Sequence, residues 1–315
     1  MKTVRQRVLV LGGSGFVGRH VVNALAAAGH FAVVLTRRRS RAGHLLPLPT
    51  VQVVEADPCD DATLARHARD MTAAINLVGV LHEHSRATFE RAHVELPRAL
   101  AGACRAAGVG RLLHMSALGA AADAPSRYLR SKADGEAAVV ASGVAATIFR
   151  PSVIFGREDT FLNLFAKLAR WFPVLPLAGA NARFQPIYVG DVAACFERAL
   201  DDNETIGERY SLCGPKVYTL AELVRYVAET IGHPRPVLPL GPGLSTLQAR
   251  VMELLPGSLL TRDNLASMQV DNVCDGAFPA RLGVVPTALE AIAPEYLAPR
   301  AQHSRFDLFR AHGGR

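Results

Sequence analysis

The chain has 315 residues, half of them hydrophobic and 20% charged, with a mean hydropathy of +0.16. That balance supports a sizeable apolar core and excludes disorder, while His30, Arg150 and many glycines and prolines interrupt every apolar run before it reaches membrane-spanning length. The net charge of +7 is local: residues 1–54 carry Lys2, Arg5, Arg7, Arg19, Arg37, Arg38, Arg39 and Arg41 and no Asp or Glu. The basicity therefore belongs to whatever that segment binds, and with no basic stripe interleaved with aromatics elsewhere no nucleic-acid partner is expected.

In chain order, short β-branched runs alternate with alanine-rich helical stretches. Strands are predicted at 7–11, 31–35, 51–55, 73–78, 111–115 and 145–149, and helices at 16–28, 60–68, 89–107 and 126–141. This βαβα rhythm predicts an α/β fold, a doubly wound parallel sheet of the Rossmann kind, over residues 1–150. After Arg150 the rhythm breaks and prolines rise, as in "HPRPVLPLGPG", which reads as loop. Residues 151–315 are expected to form a smaller C-terminal α/β lobe, with strands near Tyr188 and Tyr210 returning to the main sheet. The beginning of the chain reads as a first strand, not a secretion signal, because glycines follow Leu11 at once. The five cysteines, Cys59, Cys104, Cys195, Cys213 and Cys274, are far apart and form no CxxC pair, which suits reduced thiols in a cytoplasm and no metal site.

The first strand runs into "LVLGGSGFVGRH", with Gly12, Gly15 and Gly18 between strand and helix. Glycine permits the tight turn, then close backbone approach to a pyrophosphate, then packing of helix on strand, and the helix N-terminus adds N–H donors and partial positive charge. A site preferring NAD(H) places an acid after the second strand; this chain has none before Glu55 and offers Thr36, Arg37 and Arg38, which suit a 2′-phosphate and point to NADP(H) over NAD(H). In "SRYLRSKADGE", Tyr128 and Lys132 fall one turn apart on one helix face. A lysine ammonium favours the phenolate of a nearby tyrosine, which then exchanges a proton with a carbonyl or carbinol oxygen.

These residues resemble the extended or atypical short-chain dehydrogenase/reductase superfamily. The glycine loop resembles its nucleotide motif, "EADPCD" with Asp57 its adenine-side acid, "NLVG" the loop after the fourth strand, and Tyr128 and Lys132 its tyrosine–lysine motif; "RPSVIFG" and "FQPIYVGDVA" resemble two further motifs. "SRYLRSKADGE", "RPSVIFGREDTFLNLFA" and "QPIYVGDVA" are similar to the family of the NADPH-binding accessory subunit of respiratory complex I and its bacterial relatives. The resemblance implies a nucleotide site lined by Gly12, Ser14, Gly15, Phe16, Val17, Gly18, Thr36, Arg37, Arg38, Asp57, Leu77, Val78, Gly79, Tyr128, Lys132, Pro151, Ser152 and Val153. It implies catalytic roles for Tyr128, Lys132 and Ser116. Ser116 either orients the reacting oxygen or satisfies strand-end backbone, because extended members commonly carry the hydroxyl one position later, where this chain has Ala117.

The expected activity is an NADP(H)-dependent oxidoreductase on a carbonyl/alcohol pair or quinone-like substrate. The alternatives are a non-catalytic NADPH-binding subunit or redox-sensing protein, and a nucleotide-sugar epimerase or dehydratase. His82, Glu83 and His84 lack metal-site spacing and read as a cleft loop. "GRED", Gly156 to Asp159, reads by default as a solvated turn and alternatively as a substrate contact. The apolar segment 236–260 reads as core, as a pocket for a lipophilic molecule, or as a contact for a partner or membrane surface. Expected localisation is the cytoplasm, including the inner face of a membrane; oligomeric state is not legible.

Overall fold

The computed structural model describes residues 5–83, 88–253 and 260–298. Strands β1 (Arg7–Leu11), β2 (Phe31–Thr36), β3 (Val51–Glu55), β4 (Ala73–Asn76), β5 (Arg111–Met115) and β6 (Ala146–Pro151) join the strand Arg209–Leu212 in a seven-stranded parallel sheet. β1, β2 and β4 bury nearly every side chain, the pattern of a parallel sheet covered on both faces. The spatial order is Arg209–Leu212, β6, β5, β4, β1, β2, β3. The chain thus winds outward from β1 to β3 and crosses back to place β4 on the other side of β1. Beyond the carboxyl ends of β1 and β4 lies the topological switch point, where open α/β sheets bind ligands.

Helices α1 (Phe16–Ala27), α2 (Asp61–Ala68), α3 (Leu96–Ala107) and α4 (Arg127–Ala141) cover the sheet. α1 buries Gly18, Val21, Val22 and Leu25, a stripe at helical spacing. The helix expected over 89–107 starts as a π-helical turn, Glu90–Glu95, before α3, and ends at Gly108 in the left-handed region, φ 70°. Ser126 caps α4 by accepting the Leu129 N–H at 3.2 Å. The strand expected to 78 stops at Asn76, whose side-chain oxygen takes the Val78 N–H at 3.1 Å. The core of this sheet includes Leu9, Leu11, Val33, Leu64, Leu100 and Leu112, each such side chain contributing about 2 kcal/mol over exposure.

Two compact units divide the chain. The first comprises Met1–Pro151, Val189–Leu212 and Cys274–Val285; the second comprises Ser152–Tyr188, Cys213–Val273 and Pro286–Arg315. The second unit packs helices Phe161–Trp171, Leu220–Thr230 and Leu289–Leu297 around Phe155, Leu162, Leu223, Val227 and Leu289.

Four expectations are corrected. The strand at Tyr188 pairs with Ile154–Phe155 in a small sheet of the second unit, and only the Tyr210 strand joins the main sheet. The proline-rich stretch is not plain loop: Val237–Pro239 pairs with Leu175–Leu177, and helix Pro242–Glu253 opens on proline, whose missing N–H costs nothing in a first turn. Asp159 of "GRED" is buried, accepting the N–H groups of Gly156 and Leu162 and the Tyr296 hydroxyl. Cys59, Cys104 and Cys195 are free thiols, whereas Cys213 and Cys274 are disulfide-bonded.

Candidate functional site

The glycine loop sits at the switch point. Gly12 has φ +79°, and a Cβ there would stand 2.8 Å from the Leu77 carbonyl carbon, so the loops following β1 and β4 approach closely only without a side chain. The Leu77 N–H donates to the Leu11 carbonyl at 2.9 Å and ties the two loops together. At Gly18 a Cβ would meet the Gly12 oxygen at 2.1 Å, so this glycine lets α1 pack on the loop. Gly15 is the N-cap of α1 and supplies no side-chain cap, and the first turn, with Phe16 and Val17, holds no acid. Those orphan N–H groups and the helix dipole are the chemistry that suits a pyrophosphate.

At the end of β2, Ser14 Oγ and Thr36 Oγ1 are 3.5 Å apart, and buried Thr36 donates to the Arg38 carbonyl at 3.2 Å. Arg37 and Arg38 are exposed. Glu55, paired across the ladder with Thr36, accepts the Arg39 N–H at 2.8 Å. Asp57, after β3, folds an Asx turn onto the Cys59 N–H at 3.0 Å and is exposed.

Between β4, β5 and α4 lies a cluster of buried polar groups. Asn76 donates through Nδ2 to His114 Nδ1 at 3.2 Å while its oxygen holds Val78, which leaves the second His114 nitrogen to carry the proton without a partner. His93 Nε2 accepts the Val80 N–H at 3.0 Å, so Nδ1 donates to Ser131 Oγ at 2.8 Å, and Ser131 donates to the Tyr128 carbonyl at 2.7 Å. Lys132 Nζ donates to the Met115 carbonyl at 3.2 Å and would lie 3.3 Å from a Cβ at Gly79. Burial pushes its pKa down to about 8. Burial, with the Lys132 charge adding to it, pushes His93 down to about 2 and His114 down to about 3, so both imidazoles are neutral.

Tyr128, one turn before Lys132, packs edge-on to Phe89 and His93 with centroids at 5.9 and 5.5 Å, beside Ala117, Ala121, Ala124 and Leu129. Burial pushes its phenol up to about 12. This upward direction is opposite to the one expected from the Lys132 charge. Ser116 is 3% exposed at the end of β5, and its hydroxyl has no hydrogen-bond partner. A buried orphan hydroxyl costs stability, about 1–3 kcal/mol, unless something else engages it.

At the end of β6, Pro151 accepts the Leu118 N–H at 3.0 Å. In the second unit the Ser152 hydroxyl lies 2.6 Å from Asn272 Oδ1, which also takes the Val153 N–H at 2.9 Å, so this hydroxyl is already engaged within the protein. Glu83 pairs with Arg127 at 2.8 Å, His84 lies outside the described residues, and among those described no cluster of three His, Cys, Asp or Glu forms a metal site. An open groove of about 700 Å³ between α3 and α4 is lined by Glu90, Arg98 and Asp134 and by neither Tyr128 nor Lys132.

Sequence reasoning missed His93, His114 and Ser131. One signal was available: His93, Pro97, Leu100 and Cys104 share the buried stripe of one helix, so His93 is a polar side chain on an apolar face.

The switch-point loop and the tyrosine–lysine helix define a class, and its sequence profile agrees. The NAD dependent epimerase/dehydratase family matches residues 8–213, and the chain belongs to it. It is 35% identical over 297 residues to mouse (Mus musculus) mitochondrial NADH dehydrogenase [ubiquinone] 1 alpha subcomplex subunit 9, covering 91% of this chain and 78% of that one. It is 36% identical over 251 residues to the ceramide reductase of Caulobacter vibrioides (strain NA1000 / CB15N), covering 78% and 77% respectively. In fold it is similar to the UDP-glucose 4-epimerase of Thermus thermophilus, solved with NAD, with a TM-score of 0.63 and 22% identity over 84% of this chain and 99% of that one. The α/β Rossmann expectation and the family resemblance are both borne out.

Proposed function

We propose that the chain is an NADP(H)-dependent reductase of a lipophilic carbonyl or quinone-like substrate. The observation carrying this reading is the neutral Tyr128 phenol one helical turn from Lys132, with the unpartnered Ser116 hydroxyl at the end of β5. The nucleotide supplies hydride. Gly12 and Gly15 would let the backbone approach its pyrophosphate, the first-turn N–H groups of Phe16, Val17 and Gly18 would face it, and Ser14, Thr36, Arg37 and Arg38 would hold its 2′-phosphate. Asp57 would lie on the adenine side, Leu77, Val78 and Gly79 would flank the nucleotide after β4, and Lys132 would hold the nicotinamide ribose. Pro151, Ser152 and Val153 support the nicotinamide end. Ser116 hydrogen-bonds the substrate oxygen, and Tyr128, protonated at neutral pH, gives that oxygen its proton.

Similarity to a ceramide reductase favours reduction of a lipophilic carbonyl. Similarity to an NADH dehydrogenase subunit, with Ala117 where extended members commonly carry a hydroxyl, favours the second reading, a nucleotide-binding subunit without turnover that docks on a protein partner. Sugar-nucleotide epimerisation is a weaker third.

NADPH oxidation by purified protein against long-chain ketones and quinones tests the reading. Tyr128→Phe is expected to lower kcat about 10²–10⁴-fold with NADPH affinity unchanged. Tight NADPH binding with no turnover on any acceptor supports the subunit reading instead. Arg37→Asp is expected to weaken NADPH at least about tenfold more than NADH; equal losses contradict the 2′-phosphate assignment.

A further inference from the structure

The second unit carries an apolar surface at odds with its own core. Trp171 is 83% exposed, and Phe172, Leu238, Leu244, Leu247 and Val251 are each more than half exposed. Leu244, Leu247 and Val251 recur at helical spacing along Pro242–Glu253, which buries only Ser245 and Ala249. Two side-chain hydrogen bonds and one strand pairing join the contributing elements. Gln248 of that helix donates to the Pro176 carbonyl at 3.0 Å, Val237–Pro239 runs parallel to Leu175–Leu177 with Leu238 opposite Pro176, and Arg235 donates to the carbonyl of Ala169, in the last turn of the helix that ends at Trp171, at 3.0 Å. The elements that carry the exposed side chains are therefore neighbours in the fold.

Its charge selects the occupant. Residues 160–182 and 231–252, which supply all six side chains, contain Lys167, Arg170, Arg235 and Arg250 and no Asp or Glu. Lys167, Arg170 and Arg235 form no ion pair among the described residues, whereas the charge of Arg250 acts on the neighbouring Glu253, which Arg262 holds at 2.9 Å. A second copy of the chain would bring the same cations face to face. The C-terminal segment 299–315 has four arginines against Asp307 and is no better matched. What fits is an anionic surface with an apolar interior: Trp and Phe at the boundary, aliphatic side chains below it, and Lys and Arg at the headgroups.

We propose that this face docks on the surface of an anionic lipid bilayer. The inference is independent of the reductase reading, since none of its residues belongs to the nucleotide or catalytic machinery. The protein lies on the bilayer without spanning it; among the described residues no helix is long and apolar enough to cross.

The test is flotation of the full chain with phosphatidylcholine vesicles, with or without phosphatidylglycerol. Binding to the anionic vesicles, falling as salt rises, is expected, with little on phosphatidylcholine alone. Lys167→Gln and Arg170→Gln should each weaken binding to anionic vesicles about fivefold. Trp171→Ser with Leu247→Ser should weaken it at least about tenfold, with an unchanged far-UV spectrum and melting temperature excluding misfolding. No flotation with anionic vesicles, or equal flotation of wild type and Trp171→Ser/Leu247→Ser, overturns the proposal. So does a stable dimer or an acidic-protein complex abolished by those same substitutions, since the face is then a protein interface.

Discussion

Helix α4 and helix Pro242–Glu253 break the same rule in opposite directions. α4 buries Ser131, Lys132 and Glu136, whereas the second helix exposes Leu244, Leu247 and Val251 and buries little beyond Ser245 and Ala249. Burying polar groups costs stability unless partners are built for them, and α4 has such partners: the Met115 carbonyl for Lys132, His93 for Ser131, and Arg150 for Glu136 at 2.6 and 2.8 Å. Exposed apolar side chains need no internal partner. Departures from the hydrophobic pattern thus take two forms, one held by many neighbours and one answerable only to something outside the chain.

Glycine substitutions break this contrast most strongly. A Cβ at Gly135 in α4 would stand 1.9 Å from the His93 carbonyl oxygen, so Gly135→Ala should cost about 3 kcal/mol and loosen the Tyr128 helix. At Gly243 in the second helix nothing lies within 4 Å of a Cβ, and Gly243→Ala should be neutral or stabilise by up to about 1 kcal/mol. Urea denaturation of both variants makes the comparison; similar values for the two would remove it.

Acid sharpens it further. His93 and His114 are neutral when folded, with pKa values pushed down to about 2 and about 3, while the unfolded chain protonates both below about 6.5. The unfolded state therefore binds more protons as pH falls through that window, and stability drops by roughly 1 kcal/mol per histidine per pH unit between about pH 6.5 and 3. Urea midpoints at pH 7 and pH 5 should show the fall, and His114→Gln should flatten it. An unchanged slope would mean that His114 is charged in the fold. The smallest effect belongs to the exposed face: Trp171→Ser should change the unfolding free energy by no more than about 0.5 kcal/mol, because the side chain leaves water only when something docks on it.

The sheet was legible because its inner strands are buried on both faces and its helices are amphipathic, so apolar runs and burial coincide along β1, β2, β4 and β5. Gly12, Gly15 and Gly18 and the Tyr128–Lys132 pair were legible because each is a local spacing on one turn or loop. The second unit was less so. Its strands are two or three residues long, and prolines such as Pro236 and Pro239 masked a ladder whose partner strand, Leu175–Leu177, lies far away in the chain.

By itself, then, the sequence determined the parallel α/β class, the glycine loop at a strand-to-helix turn, and the tyrosine and lysine one turn apart, since short-range geometry carries all three. Tertiary structure alone decided that burial raises the Tyr128 phenol above its ordinary value, that two imidazoles beside Lys132 stay uncharged, and that Ser116 keeps a buried hydroxyl without a partner. Those properties come from desolvation and from groups brought together across the fold, which no local spacing records. The exposed face has the same origin: hydropathy marks Leu244, Leu247 and Val251 as apolar, but only packing shows which apolar side chains the core leaves out.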